Sequence, residues 1–567
     1  MKLLPQTLAS AVHSAIANAQ ASGALPAFDL PEIEVRPPKR ADQGDYAVSL
    51  ALALAKPTGR KPLDIANAIA EHFVKPAFIA SVEVVPPGFI NFRLDDHWLK
   101  SQVESLIVEG ENVFQLDLYA GKRAQVEFVS ANPSGPITVG RSRGGVIGDT
   151  MARLLEAAGY QVEREYYFNN AGRQMRNVGN SLKIRYLQAL GKPVTIPDAK
   201  DENFYQGDYL SDFARDLAAE VGEGWIDSDW QPFKDYAEKR MFQWIRESLA
   251  QVQIVHDVFF NENSGAIWDV LESLDQAGFV YKATVPEGAD KEDVEEAGGK
   301  GEAVWFRSTR LGDAKDRVLV KSSGEPTYTL PDIAYHVNKL ERGFDLLVNV
   351  LGADHGAQYK VVQYGVQALG MDPSKIHVII NQMVRAVRNG VEVKMSTRRG
   401  VFDTLDALVE ETSADAVRYM LLARSADSHL NFDLDLAIKR SNENPVYYIQ
   451  YAHVRCAGIF REAAARGISD EGADISLLGE AELSFLRKAM ELGEVIEASA
   501  RHLEPHRIAF YALELANSFH PIFDNVRVMH TEVPPDVAKA RLRFYRAAQV
   551  VFARVLDLMG MTAPDVM

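Results

Sequence analysis

The stretch that decides the fold is AQVEFVSANPSGPITVGRSRGGVIGDTMARLLEAAG, residues 124 to 159. Its first seven residues, Ala124 to Ser130, are rich in β-branched and aromatic side chains, as a buried strand requires. Pro133, Gly135 and Pro136 break that run, and beyond them Ile147, Met151, Leu155 and Ala158 share one helical face. Gly159 stands where a helix end calls for a left-handed residue, and Gln161 to Tyr167 reads as a second strand, which predicts a βαβ crossover. In such a unit the loop after the first strand meets the positive end of the helix dipole, a setting that suits a phosphate group.

The glycines of this stretch do not follow the commonest phosphate-binding patterns. Gly135, Gly140, Gly144, Gly145 and Gly148 are spread over a long turn and its helix, with neither G-x-G-x-x-G straight after the strand nor G-x-x-x-x-G-K-[ST] anywhere. Glu163 and Glu165 do stand roughly 20 residues downstream, where a ribose-binding acid would lie, so a dinucleotide-binding oxidoreductase is the competing reading of this segment.

At 567 residues the chain has room for several domains, and 47% hydrophobic content suffices for several cores. No run approaches the ~20 apolar residues of a membrane span. The N-terminal MKLLPQTLASAVHSAIANAQASG reads as an amphipathic helix rather than a signal peptide, which places the chain in the cytoplasm. A single cysteine, Cys456, excludes an internal disulfide and argues against structural zinc. The net charge of −17 is unfavourable for a polyanion, but phosphates respond to local clusters. Two basic clusters exist, Arg385, Arg388, Lys394, Arg398 and Arg399, and Arg541, Arg543, Arg546 and Arg554. The alternative for both is a set of solvated helix faces.

Residues 1 to 115 read as an α+β module with helices at Leu4 to Ala21 and Pro62 to Phe73 and strands near Val82 to Val85 and Gly88 to Leu94. Its basic loop RPPKRADQGDYA (36 to 47) either touches phosphate or merely connects. Residues 116 to 400 carry the sheet domain, with an acidic insertion around 200 to 300 that includes a helical stretch, 234 to 259, and a glycine-rich mobile loop, 288 to 303. A hairpin joins VWFRS (304 to 308) to RVLVKS (317 to 322), and a helix starts near Pro331. LLVNVLG (346 to 352) and HVIIN (377 to 381) read as strands covered on both faces. The polar residues after them, Ala353, Asp354, His355 and the loop with Lys394, should face one cleft together with the Pro133 to Arg143 loop. Residues 401 to 440 read as a helical connector and 441 to 567 as a helical bundle. Within it NPVYYIQYAHVR (444 to 455) puts Tyr447, Tyr448, Tyr451 and His453 on one helix, either as a surface for unstacked bases or as internal packing. The fold class is therefore α/β, a doubly wound Rossmann-like parallel sheet flanked by an α+β module and an α-helical bundle.

Several blocks in this order resemble the arginyl-tRNA synthetases, within the class I aminoacyl-tRNA synthetases. VEFVSANPSGP with the V-G and G-x-x-x-G-D that follow resembles the family's first strand and HIGH loop, and KMSTRRG (394 to 400) resembles its KMSKS loop. NPVYYIQYAHVR, EPHRIAFYALELANSFH and LDLMGMTAPDVM resemble its anticodon-binding bundle, which closes on Met567. GDYAVSLALALAK and PPGFINFRL resemble its N-terminal domain.

The resemblance implies ATP-dependent activation of L-arginine, transfer to the terminal adenosine of tRNA(Arg), and a need for bound tRNA in the first step. It makes Glu127, Asn132, Tyr328 and Asp332 arginine contacts, with Asp354 and His355 beside them. Selecting a guanidinium requires carboxylates and acceptors onto which its five donors can fork, so Asp332 supplies the charge. Pro133, Gly140, Arg141, Gly144, Lys394, Met395 and Ser396 become ATP contacts. Phe89 and Asn91, with Tyr447, Tyr451 and Met567, become tRNA contacts. Lys394 brings positive charge to the departing pyrophosphate, and Arg398 stands in for the motif's second lysine, which Thr397 displaces.

One block departs from the family. Where a histidine is expected at each end of the HIGH tetrapeptide, this chain has Thr138, Val139, Gly140 and Arg141. Either Arg141 and Thr138 replace the imidazoles as phosphate donors, or the chain is an inactive paralogue that still binds tRNA. The reading is of a working monomeric enzyme, with Mg2+ carried mostly by ATP and water and no metal cage of its own.

Overall fold

The computed structural model describes residues 3–38, 40–170, 172–198, 203–262, 266–285, 291–299, 301–353, 359–393 and 404–567. The N-terminal module holds four antiparallel strands, β1 (Val35–Arg36), β2 (Tyr46–Val48), β3 (Ile79–Val85) and β4 (Phe89–Leu94), in the order β1-β2-β4-β3. The helices Leu4–Ala21 and Pro62–Glu71 are where their periodicity places them, while Leu50–Thr58 and Asp96–Glu109 also fold as helices. The last begins at Asp95, whose carboxylate caps the Trp98 N–H.

The central sheet has five strands, all parallel: β5 (Arg123–Glu127), β6 (Gln161–Phe168), β7 (Val258–Asn261), β11 (Leu346–Gly352) and β12 (Ile376–Asn381), ordered β12-β11-β5-β6-β7. The chain winds from β5 outward to β6 and β7, then crosses to β11 on the other side of β5. The crevice between β5 and β11 is thus the switch point at which such sheets bind ligands. Register puts Glu127 opposite Glu165 of β6 and Asn349 of β11, a row of polar residues across three neighbouring strands. The helical pattern of 234 to 259 runs too far. The helix is Gln231–Gln251, and residues 258 to 261 form the edge strand β7, too short to show a period of its own.

A side sheet of β8 (Val280–Ala283), β9 (Ala303–Phe306) and β10 (Arg317–Val320) includes the expected hairpin, β9 pairing antiparallel with β10. In the glycine-rich stretch Lys291–Glu296 is a short helix rather than loop. A third small sheet, β13 (Val384–Arg388), β14 (Val391–Glu392) and β15 (Leu430–Asp433), joins the central domain to the connector helices. Pro445–Ala465, Glu480–Met490, Leu492–His502, His506–Asn525 and Pro535–Leu558 make the bundle.

The crossover helix Val139–Ala157 explains the scattered glycines. A Cβ on Gly148 would lie 2.3 Å from the Phe128 ring, and one on Gly145 would lie 3.2 Å from Val129. These glycines let the helix press against the end of β5. Deeper along the helix, Asp149 receives the buried Arg418 guanidinium at 2.6 Å, and Arg418 also donates to the carbonyls of Val252 (2.6 Å) and Met559 (2.5 Å). One side chain thus ties the crossover helix, the insertion and the bundle together, with every contact charge-assisted. Among the described residues no helix is long and apolar enough to cross a membrane.

Candidate active site

The helix Thr329–Glu341 has an unusual interior face. Asp332, Tyr335, His336 and Lys339 recur at the i, i+3, i+4, i+7 spacing that normally brings apolar residues to a core. Here Lys339 is fully buried, Tyr335 and His336 are each 5% exposed, and Asp332 is half-buried. A lysine is tolerated in such a place only when its charge and all its donors are answered. Lys339 Nζ donates to Glu127 Oε2 at 2.6 Å and to Asn349 Oδ1 at 2.7 Å, and it sits 4.1 Å from the centre of the Tyr335 ring. Ser130 Oγ donates to the other Glu127 oxygen at 2.9 Å, and Asn349 Nδ2 donates to Tyr359 Oη at 2.9 Å. Behind them Glu165 accepts from Tyr335 Oη and from the Arg342 fork at 2.6 and 2.9 Å. Immediately after β5 the backbone turns through positive φ at Val129 and Ser130, 69° and 40°, a conformation rarely adopted by a β-branched residue.

This network walls a cleft of about 860 Å³ that opens at the switch point. Asp332 lines it, and among the described residues no cation hydrogen-bonds to its carboxylate. Burial, then the negative charges of Glu127 and Glu262, push its pKa up to about 7 against the opposing pull of Lys339. Glu262, just past β7, lines the same cleft and hydrogen-bonds to the Tyr167 hydroxyl. His336 is held neutral, its pKa pushed down to about 3 by burial and by Lys339. Its Nδ1 donates to the Asp332 carbonyl at 2.7 Å, and Asn349 lies beside the ring with its own amide directed at Tyr359 and the His377 carbonyl. The inner end is therefore rich in acceptors and carboxylates, with one internal cation already spent on Glu127. It suits an elongated ligand with several N–H donors and positive charge.

Glu127, Asn132, Tyr328, Asp332 and Arg141 all line this cleft. Tyr328 stands one turn before Asp332, its backbone helical and its carbonyl accepting the Asp332 N–H at 3.2 Å. It is the residue preceding the helix, and it is 84% exposed, so it stands at the mouth while Asp332 lies inside. Both ends of the Asn132 amide are in use, accepting from the Asn169 N–H at 2.9 Å and donating to Gln174 at 2.7 Å. That fixes the loop after β5 against β6.

Thr138 precedes the crossover helix in extended conformation, and its hydroxyl makes no capping bond. Gly140 is exposed, with open space where a Cβ would go. Arg141 is exposed on the cleft rim and makes no hydrogen bond or ion pair among the described residues. Gly144 departs from the expectation. It is buried against Asn381, whose amide would lie 3.3 Å from its Cβ. Nor does Arg143 face the cleft. Its fully buried guanidinium serves the carbonyls of Gln382, Ser425 and Ser428 at 2.8 to 2.9 Å. Both lie a full turn inside the helix, where side chains meet the sheet. Pro133 is buried in the loop. Asp354, His355, Lys394, Met395, Ser396 and Arg398 lie outside the described residues. Just beyond the last of these segments, Thr404 bridges to Thr138 and the Leu405 N–H donates to the Ile137 carbonyl at 2.9 Å.

Sequence reasoning missed Glu262, His336, Lys339, Asn349 and Arg173. Only the helix offered a signal, four polar residues on what should be a buried face. The others reach the cleft from separate strands and from the start of the helix Gly172–Ala189.

The outer contacts are mixed. Asn91 is 5% exposed on β4, yet it shares a face with half-buried Phe89 and exposed Arg93, the face opposite the core residues Ile90 and Phe92. Tyr447 and Tyr451 are half-buried and stacked at 5.4 Å, with Arg455 over Tyr451. His453 does not join them. It is buried, with Nδ1 2.8 Å from the Pro564 carbonyl, and so holds the carboxyl-terminal tail. Met567 is 50% exposed. The basic cluster near the end is neither a phosphate surface nor a solvated face. Arg541 pairs with Glu482, Arg543 with Glu104 of the N-terminal module, Arg546 with Asp470 and Arg554 with Asp557.

Comparison with known proteins agrees with this geometry. Residues 102–430 match the family model "tRNA synthetases class I (R), catalytic domain", residues 6–94 match "Arginyl tRNA synthetase N terminal domain", and residues 449–567 match "DALR anticodon binding domain". The chain is 40% identical over 577 residues to the arginine–tRNA ligase of Desulforamulus reducens, covering 100% of this chain and 99% of that one. It is 39% identical over 562 residues to that of Dehalococcoides mccartyi, covering 98% of each. Among solved structures it is similar to a putative arginyl-tRNA synthetase from Campylobacter jejuni, with TM-score 0.73, 29% identity and coverage of 84% of this chain and 100% of that one. It shares its fold with the Thermus thermophilus arginyl-tRNA synthetase, with TM-score 0.73, 20% identity and 100% coverage of both. A parallel sheet with its cleft at the switch point, an acidic pocket behind that cleft, and family matches at both flanks leave one assignment: this chain belongs to the arginyl-tRNA synthetase family of class I aminoacyl-tRNA synthetases.

Proposed function

We propose that the chain activates L-arginine with ATP and transfers it to tRNA(Arg). The observation that carries this reading is Asp332, a carboxylate inside the cleft whose ionisation is opposed by two neighbouring carboxylates and which forms no ion pair among the described residues. A guanidinium supplies what the site is missing, a permanent charge with paired donors. Asp332 and Glu262 take the guanidinium, with Tyr328 closing over the mouth, and Glu127 takes the α-ammonium.

An arginine carboxylate oxygen then attacks the α-phosphorus of ATP, and the bond to the β-phosphate oxygen breaks to release pyrophosphate. In the second step a hydroxyl of the tRNA's terminal adenosine attacks the arginyl carbonyl, and AMP leaves with the bonding electrons. Arg141 and Thr138 serve the phosphates from the helix start, where the dipole adds to their effect, and Lys394 and Arg398 serve them from the neighbouring loop. The family pattern adds Asp354 and His355 as arginine contacts and Met395 and Ser396 as ATP contacts.

Mg2+ arrives on the ATP phosphates and keeps mainly phosphate and water ligands. Among the described residues no three His, Cys, Asp or Glu side chains converge as a cage for it. Tyr447, Tyr451 and Met567 contact the anticodon loop, and Phe89 and Asn91 contact the tRNA elbow. The chain works as a monomer in the cytoplasm. Its division is that of residues 1–115, 116–400, 401–440 and 441–567 into elbow-contacting module, catalytic domain, connector and anticodon domain.

The test is charging of tRNA with labelled arginine, together with arginine-dependent pyrophosphate exchange in the presence of tRNA. Charging supports the reading. Binding of tRNA with neither activity overturns it and leaves a tRNA-binding relative whose phosphate site has lost function along with its histidines.

A further inference from the structure

Most of the inner cleft belongs to the arginine site, but Lys339 has no place in that description. It is fully buried and lies behind the wall, not on it. It could not contact a bound amino acid, yet it makes two short charge-assisted bonds there, to Glu127 at the end of β5 and to Asn349 on β11. Those strands flank the switch point, so one ammonium group spans the crevice from behind.

The charges around it give the reason. Among the described residues four groups interact at this end, the carboxylates of Glu127, Glu262 and Asp332 and the ammonium of Lys339. Two negative charges remain once Lys339 is counted, and arginine brings two cationic groups, its guanidinium and its α-ammonium. Without Lys339 a third carboxylate would face the same ligand uncompensated, and such a cluster takes up protons instead of holding charge. Among the described residues the other groups near Glu127 offer no substitute, and the exposed Arg141 and Arg173 line the same cleft without pairing with it. Tyr335, Tyr167 and Tyr359 are neutral, and Arg342 is occupied by Glu163 and Glu165. The neutral His336 imidazole adds no charge.

We propose that Lys339 is a positioning residue for amino-acid activation. It holds the Glu127 carboxylate in place for the substrate's α-ammonium, and it sets the pocket's charge to match a ligand with two cationic groups. The proposal rests on the arginine-activating function proposed above. Lys339 also opposes the rise in the Asp332 pKa, so its loss moves the acid limit of arginine use upward.

The experiment measures tRNA-dependent, arginine-dependent pyrophosphate exchange between pH 6 and 8.5 for wild type, Lys339→Met, Lys339→Arg, Glu127→Gln and the double variant Glu127→Gln/Lys339→Met. Lys339→Met should raise the KM for arginine by roughly tenfold or more and leave the KM for ATP within about threefold. It should move the acid limb of kcat/KM upward by about one pH unit, and Lys339→Arg should recover part of each loss. The double variant should match Glu127→Gln within about threefold, because Lys339 acts through that carboxylate. It lacks both charges, so it also reports should Lys339→Met alone fail to fold.

An unmoved acid limb, or a double variant far worse than Glu127→Gln, overturns the proposal and reduces Lys339 to a core pair. Wild type that exchanges pyrophosphate with no dependence on arginine overturns the functional reading instead.

Discussion

The two ends of the cleft are built differently. At the inner end the groups behind the wall hold one another: Lys339 holds Glu127 and Asn349, Asn349 holds Tyr359, and Tyr335 and the partly exposed Arg342 hold Glu165. At the outer rim Arg141 and Gly140 are exposed and Thr138 leaves the first turn of its helix uncapped. Choosing an amino acid requires preformed groups at fixed distances, because discrimination comes from donors left unpaired by the wrong ligand. Stabilising a departing pyrophosphate requires charge that is engaged as the reaction proceeds, so donors on an open rim are appropriate.

The largest effect should follow from breaking the inner end. Asp332→Asn keeps the shape and removes the charge, and kcat/KM for arginine should fall by about 10³ or more in pyrophosphate exchange, with the ATP KM little changed. Breaking the rim should do the reverse. Arg141→Ala is expected to lower the exchange rate by about 10²-fold or more while the arginine KM holds, and Arg141→His should recover part of it. If both substitutions raised the arginine KM alike, the division between the two ends would be wrong.

Proton linkage sharpens the comparison. In the empty pocket Asp332 takes a proton with a pKa of about 7, against an ordinary aspartate value of 3.8. A guanidinium needs the ionised form, so arginine affinity should be full above about pH 7 and fall by up to tenfold per unit below it, with proton release on binding. The same raised pKa favours the folded state at low pH, and that contribution is lost as pH climbs from 3.8 towards 7 in the empty enzyme. Titration calorimetry in two buffers of different ionisation enthalpy counts the protons.

The smallest effects lie along the crossover helix. Gly148→Ala drives a methyl into the Phe128 ring and should cost about 1 to 3 kcal/mol in a denaturation midpoint measurement, whereas Gly140→Ala meets open space and should change stability by no more than about 0.5 kcal/mol.

Much of the fold was legible in residue order. The βαβ unit, β11, β12, the β9–β10 hairpin and the bundle helices fall where their periods and turn residues place them, because local backbone preference and burial pattern act over the same few residues. β7 was not legible, since four residues at a sheet edge carry no period. Within the site, Glu127, Asp332 and Arg141 were accessible through motif and residue chemistry. Gly144 packs against Asn381 and Arg143 serves backbone carbonyls, because residues one turn further along the helix turn inward, which the order of residues did not reveal.

The sequence alone determined the order of the strands and helices and the kinds of group available: a strand ending in Glu127, a helix bearing Asp332, and a loop with Arg141 where the family pattern has histidine. Only the tertiary structure decided which charges meet. Lys339 answers Glu127 across 212 residues and Arg418 answers Asp149 across 269. Glu262 joins Asp332 because β7 and the helix Thr329–Glu341 end at the same cleft. Periodicity reports which side of an element is buried, whereas the partner met there depends on how separate elements pack, and electrostatic energy depends on that distance and on the water excluded around it.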